Sequence, residues 1–283
     1  MSPNVTMHVE ESGRPGLPAV VFLHGAGASG RMWRDHLARL SDRFHCLAPD
    51  LPGFGRSNDL LFVSRPVTAD IVADLVAARV PAGRAHVVGL SWGGGVTHTL
   101  LDRHPGIVDR AVIDGAGILT ARSGPLWLLG VSAVSPFLHT RAVTGLIAGM
   151  IGMDDAGRAD LRAASPRAFR GAFVEGFRSG VSRVEIRAQS PTLLVAGEKE
   201  AIVRASNAAQ AALMPHAEAR FAPGLAHGWV ARATDLHVRM VEAWLTGAEL
   251  PPGLRPEAPD PATVCRLRRE LGVLSEDGRR PSD

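Results

Sequence analysis

Short apolar runs alternate along the chain with segments whose apolar residues recur every three or four positions. Residues 5–9 alternate weakly and predict an edge strand. Ala19–Leu23 is a wholly apolar run closed by His24-Gly25, which predicts a buried strand leading into a Gly-rich loop. Met32, Leu37 and Leu40 stand at helical spacing across 31–40, and a further apolar run at 44–48 stops at Pro49-Asp50-Leu51-Pro52-Gly53. Ile71, Val72, Leu75 and Val76 predict a helix over 70–80. Residues 85–90 read as a strand, 96–102 as a helix and 108–113 as another strand.

The pattern then changes. Residues 118–188 carry no clear strand but a series of apolar helical segments at 126–138, 143–150 and 168–177. Alternation returns with a strand at 192–196, a helix near 207–214, a strand near 217–221 and an amphipathic helix near 230–245. The tail from Pro251 is rich in Pro, Arg and Asp, with one short amphipathic piece near 264–271, and reads as a solvated extension. Strands alternating with helices predict an α/β class with a mostly parallel, doubly wound sheet. The expected organisation is a core in two parts, 1–117 and 189–248, a helical cap inserted at 118–188, and an extension at 249–283.

Composition supports a folded chain. Of 283 residues, 46% are hydrophobic and 21% charged, near the average for globular domains. A chain this long buries roughly three quarters of its unfolded surface, so it needs no metal or disulfide to hold a core. Net charge is +3, Lys199 is the only lysine, and the arginines are interleaved with acids. That scatter gives no basic stripe and argues against a nucleic-acid partner. Cys46 sits in an apolar run and reads as a buried small hydrophobe, while Cys265 lies far from it in sequence. The first residues show neither a basic nor an apolar leader segment. The longest apolar stretch, 126–138, contains Pro136 and falls short of the ~18 residues of a membrane span. The expectation is a cytoplasmic protein with no membrane partner; its oligomeric state is open, a homodimer being compatible.

Four pieces carry chemistry. Gly89-Leu90-Ser91-Trp92-Gly93 places a serine between a strand and a helix, on a turn sharp enough to lift the hydroxyl clear of the sheet. His24-Gly25-Ala26-Gly27 follows another strand and offers backbone amides; those of Ala26 and Trp92 are the expected donors to an oxyanion. His24 itself is expected to hold that loop by hydrogen bonding, and His98, on the helix after Ser91, to be structural. Gly224-Leu225-Ala226-His227-Gly228-Trp229 places a histidine in a loop after the last strand, as a base for Ser91. Glu200, just past the strand at 192–196, could orient that base; Glu198 reads as a solvated charge, and Asp114, ending the strand at 108–113, is an alternative acid. No pattern of His and Cys suggests a metal. The order Ser91, Glu200, His227 is nucleophile, acid, histidine.

These motifs, with Pro49-Asp50-Leu51-Pro52-Gly53-Phe54-Gly55-Arg56-Ser57, resemble the α/β-hydrolase superfamily, in its lid-bearing branch of small esterases and lactonases, over about residues 15–248. The resemblance implies the α/β-hydrolase fold, a cap at 118–188, Ser91 as nucleophile, His227 as base and no cofactor. Where the family usually has aspartate this chain has Glu200, which leaves room for Asp114. Serine at the turn speaks against haloalkane dehalogenase and epoxide hydrolase activity, whose enzymes carry aspartate there. The implied reaction is hydrolysis of a carboxylic ester or lactone of a small apolar molecule through an acyl-enzyme. Alternatives are C–C hydrolysis, perhydrolysis, a lyase or cyclase step, and a ligand receptor without turnover. The expected pocket includes Gly25, Trp127 and Trp229, walled by Leu126, Leu128, Leu129, Phe137 and Leu138.

Overall fold

The computed structural model describes residues 7–117, 124–151, 153–178 and 188–270, with the side chains of 124–127, 177, 178 and 270 outside that description. Its strands are β1 (Val9–Ser12), β2 (Ala19–Leu23), β3 (His45–Pro49), β4 (Ala85–Leu90), β5 (Val108–Asp114), β6 (Thr192–Gly197), β7 (Ala217–Ala222) and β8 (Arg255–Pro256). The helices are α1 (Arg34–Leu40), α2 (Arg65–Arg79), α3 (Trp92–Arg103), α4 (Gly124–Val134), α5 (Arg141–Ile151), α6 (Asp155–Ala163), α7 (Pro166–Arg178), α8 (Ala201–Ala211), α9 (Trp229–Arg232), α10 (Thr234–Thr246) and α11 (Pro261–Glu270).

All eight strands form one sheet in the order β1-β3-β2-β4-β5-β6-β7-β8. The six strands from β3 to β7 in that order are parallel, and β1 and β8 close the two edges antiparallel. This is the α/β-hydrolase architecture the motifs imply.

Strand periodicity sorts the apolar side chains into two layers. Val21, Leu23, Val87, Ile113 and Leu194 face a core shared with α2, α3 and α8. Val20, Phe22, Val88, Val112 and Val195 face a second core with α1 and α10. Central strands buried on both faces read as continuous apolar runs, which is why they were visible as such.

The differences from the sequence pattern lie at the periphery. The edge strand forms at Val9–Ser12 and not at 5–9, of which residues 5 and 6 lie outside the described residues. The tail is not a loose extension: β8 pairs with β7, Leu254 enters one core and Leu267 the other. Between β5 and β6 the chain makes α4 to α7, including α6, which the apolar pattern did not announce. Leu138, Leu161 and Phe169 bury a small core of their own there, packed against Ala26 of the main domain.

Candidate active site

The strands β4, β5, β6 and β2 deliver their carboxyl ends side by side, and the residues singled out from the sequence stand at these ends. Ser91 is the residue after β4. Its backbone sits at φ 54°, ψ −112°, the one positive φ at a non-glycine among the described residues. Such a conformation costs of order 1–3 kcal/mol and persists only where surroundings impose it. Here they do: the Ser91 N–H donates to the Asp114 carbonyl at 2.8 Å and the Gly93 N–H to the His24 carbonyl at 3.1 Å. The turn is so tight that a Cβ on Gly89 would collide with the Gly93 carbonyl and one on Gly93 with the Leu23 carbonyl. That explains glycine two positions before and after the serine. Helix α3 begins at Trp92, so the positive end of its dipole faces the Ser91 turn.

The loop after β2 runs alongside. A Cβ built on Gly25 would touch the Ser91 Cβ at 3.4 Å, so Gly25 lies beside the serine as expected. His24 is fully buried. Its Nδ1 donates to the Gly25 carbonyl at 2.8 Å, and its Nε2 accepts the Leu51 N–H at 2.9 Å. Burial pushes its pKa down, so the ring is a neutral brace between two loops, the role expected of it. Asp50 is a second brace that the sequence reading passed over: its carboxylate accepts from the Gly30 N–H at 2.6 Å and the Arg56 N–H at 2.7 Å. The amides of Ala26 and Trp92 make no hydrogen bond among the described residues.

His227 sits in the loop after β7. Its Nδ1 donates to Glu200 Oε1 at 2.6 Å, and Glu200 Oε2 accepts the Gly197 N–H at 2.8 Å. Burial alone would lower the imidazole pKa, but the hydrogen bond and charge of Glu200 more than offset it and the net shift is upward. The two loops are knit together: Lys199 N–H to the Leu225 carbonyl at 3.0 Å, and the Gly224 N–H to Glu198 Oε2 at 2.6 Å. Glu198 is thus exposed but shapes the histidine loop. Gly115 makes room for the ring, since a Cβ there would stand 2.7 Å from His227 Cε1.

Ser91 and His227 are therefore held at the same end of β5, one by Asp114 and the other against Gly115. No hydrogen bond joins their side chains among the described residues. Asp114 turns away from His227: its Oδ1 accepts the Trp229 indole N–H at 3.0 Å. Trp229 was expected in the pocket, but it is fully buried in the layer of α1 and α10, because its indole finds its acceptor there. His98 is buried beside Gln210 at 3.2 Å, and burial takes its pKa down to about 3, consistent with a structural role. Burial raises the Cys46 thiol to about 12. Among the described residues no group of His, Cys, Asp and Glu is arranged to hold a metal ion, and no helix is long and apolar enough to cross a membrane.

The expected pocket wall is only partly where the sequence pointed. The side chains of Leu126 and Trp127 lie outside the described residues. Leu129 and Phe137 face outward, and Leu138 is buried inside the helical segment, because these helices pack on one another through Leu138 and α7. Leu161 and Phe169 approach the loop after β2 instead, both so close to Gly27 that a Cβ there would stand 2.5 Å from Leu161 and 3.2 Å from Phe169. Phe62, also unmarked in the sequence, packs its ring 5.5 Å from that of Trp92. It borders a cavity of about 440 Å³ under α7, where Pro136, Pro166 and Val174 mix with Ser132, Arg167 and Arg170.

Comparison with known proteins bears on the fold. A family model described as the alpha/beta hydrolase fold matches residues 18–142. An AB hydrolase superfamily protein of Gibberella zeae is 32% identical over 132 residues, covering 45% of this chain and 47% of that protein. A pimeloyl-[acyl-carrier protein] methyl ester esterase of Sodalis glossinidius is 36% identical over 106 residues, 38% of this chain and 37% of that one. The chain thus spans about half or less of the length of these curated relatives. Among solved structures, a thermophilic esterase from Thermogutta terrifontis superposes with a TM-score of 0.69 at 22% identity, covering 85% of this chain and 93% of that one.

Proposed function

We propose that the chain, whose residues 18–142 match the alpha/beta hydrolase fold model, is a cofactor-independent serine hydrolase cleaving a carboxylic ester or lactone of a small apolar molecule. The observation that carries this reading is the pairing of His227 Nδ1 with Glu200 at 2.6 Å. It fixes the tautomer and leaves Nε2 as the imidazole nitrogen available to Ser91.

In this mechanism Ser91 Oγ attacks the substrate carbonyl while His227 Nε2 takes its proton. Glu200 stabilises the imidazolium that results. The oxyanion forms near Ala26 and Trp92, whose amides make no hydrogen bond among the described residues, at the positive end of α3. His227 then protonates the leaving alcohol, and the acyl-enzyme on Ser91 is hydrolysed by a water that His227 deprotonates. Glutamate at this position still presents a carboxylate to His227 Nδ1, with its second oxygen held by the Gly197 amide.

A fluorophosphonate probe followed by peptide mapping tests the assignment directly. Labelling of Ser91, lost in Ser91→Ala and sharply slowed in His227→Ala, is expected. Stable ester turnover by pure Ser91→Ala would refute it. Product analysis on a panel of aryl esters, lactones and diketones then defines the bond cleaved.

A further inference from the structure

We propose that Asp114 is a positioning residue for this site: its backbone holds Ser91 and its side chain, through the indole of Trp229, holds the loop that carries His227. The proposal rests on the reading of Ser91 and His227 as nucleophile and base.

Asp114 ends β5, between the strand that delivers Ser91 and the strand that precedes Glu200. Its carbonyl accepts the Ser91 N–H at 2.8 Å, so the elbow is anchored to this residue. Strand alternation sends its side chain to the same face as Val112, into the layer of α1 and α10. There it meets Trp229 Nε1 at 3.0 Å, with both residues at 0% exposure. A buried indole N–H and a buried carboxyl are each costly to leave unpaired, so this bond fixes the separation of the two segments. Trp229 follows His227 by two residues, and its N–H closes a turn onto the Ala226 carbonyl at 2.9 Å. A shift of the indole is therefore a shift of the imidazole.

The surroundings leave the pair little freedom. Asp114 Oδ2 faces His237 Nε2 of α10 at 3.4 Å, and His237 Nδ1 is bonded to His36 Nε2 of α1 at 2.7 Å. The His237 ring packs edge-on to Trp229 with centroids 4.8 Å apart. Burial raises the Asp114 acid well above the usual carboxylate range, and the charge of Glu200 adds to this. Burial lowers His237 to about 3. The cluster behind the site is thus a neutral acid and neutral imidazoles, which asparagine can mimic at position 114.

The test compares Trp229→Phe, Asp114→Leu, their double variant and Asp114→Asn, each with its unfolding midpoint measured. The readouts are the rate of fluorophosphonate labelling at Ser91 and the kcat and KM of ester hydrolysis. A misplacement of about 1 Å costs on the order of a hundredfold in rate, so each single variant is expected to lose between tenfold and a hundredfold, on that scale, in labelling rate and kcat, with KM little changed. The double variant should lose no more than either single, since both break one bond. Asp114→Asn keeps the acceptor and should recover most of the loss of Asp114→Leu. Replacing Trp229 by benzothienylalanine keeps the ring and removes only the N–H, so it separates the hydrogen bond from packing should Trp229→Phe not fold. Labelling at the wild-type rate in a folded variant lacking the N–H, or losses that multiply in the double variant, would overturn the proposal while leaving Ser91 and His227 in place. A wild-type protein that is not labelled at Ser91 would overturn both. Collapse of activity in a folded Asp114→Asn would also refute it, since that result makes Asp114 the acid itself.

Discussion

Ser91 keeps its strained backbone because five neighbours, Gly25, Gly89, Gly93, His24 and Asp114, leave it no other conformation. Removing only its hydroxyl touches none of these, so Ser91→Ala should unfold at the wild-type midpoint while losing ester hydrolysis by a factor near 10⁶, the size seen when a triad nucleophile is removed. Glu200→Gln should cost about 10⁴ in kcat, as neutralising the acid does in the Ser-His-Asp template. A loss in Glu200→Gln as small as that in Asp114→Asn would mean that the carboxylate of Glu200 does not orient His227. The pH dependence follows from the raised pKa of His227, whose hydrogen bond to Glu200 outweighs its burial. A base with a raised pKa is still protonated at its ordinary value of ~6.5, so kcat/KM should rise through an ionisation above that pH. A midpoint below it would show that His227 is not held by Glu200 in solution. Ser91, Glu200 and His227 were legible in the sequence because each sits in a short motif tied to a strand end. Trp229 was misplaced and Asp114 read as an alternative acid or a polar strand end, not as its partner, because their partnership depends on which face of β5 a side chain takes, and no local pattern records that.

At the level of elements, the central strands were legible nearly to the residue because burial on both faces makes them apolar runs, whereas β1 was placed too early and β8 was not foreseen. The helices were less so. Helix α3 starts at Trp92, but Gly93, Gly94 and Gly95 hide its first turn. Helix α6 has one large apolar residue, Leu161, and is set by the Asp154 cap on the Gly157 N–H at 2.7 Å. That helix matters more than its pattern suggests. Asp160 accepts from Ser29 Oγ at 2.6 Å and pairs with Arg31, tying α6 to the loop after β2. Leu161, fully buried, is thereby set over Gly27. Leu161→Ala should cost about 2–5 kcal/mol, the usual range for truncating a buried leucine, and should also shift the preferred ester toward bulkier acyl or alcohol groups. A stability loss with an unchanged order of preference across an ester series would assign Leu161 to packing alone.

Across the whole molecule, the buried histidines set how stability responds to acid. His24, His36, His98 and His237 are each kept neutral in the folded state, His98 and His237 with pKa values lowered to about 3, His36 lowered well below its ordinary value and His24 lowered, burial being the first cause in all four. Unfolding returns them to ~6.5, so below that pH the unfolded chain takes up protons the folded one refuses, at about 1.4 kcal/mol per proton per pH unit. Asp114 works in the opposite sense: its folded pKa is raised, so the unfolded chain releases its proton once pH exceeds ~3.9 and stability falls as pH rises. Four histidines outweigh one acid between roughly pH 4 and 6, and stability should climb with pH across that window. Above ~6.5 the histidine contribution is complete. There His227, whose folded pKa is raised, adds a decline, because the stabilisation from its bond to Glu200 is lost as pH passes through its folded pKa. Stability should therefore peak near pH ~6.5, whereas activity, which needs His227 unprotonated, should still be rising there. Denaturant unfolding from pH 4.5 to 9, set beside a kcat/KM profile on the same samples, checks both curves. A stability curve that is flat below ~6.5 would show that these histidines are solvated in the folded protein. Coincident maxima would separate the activity profile from His227.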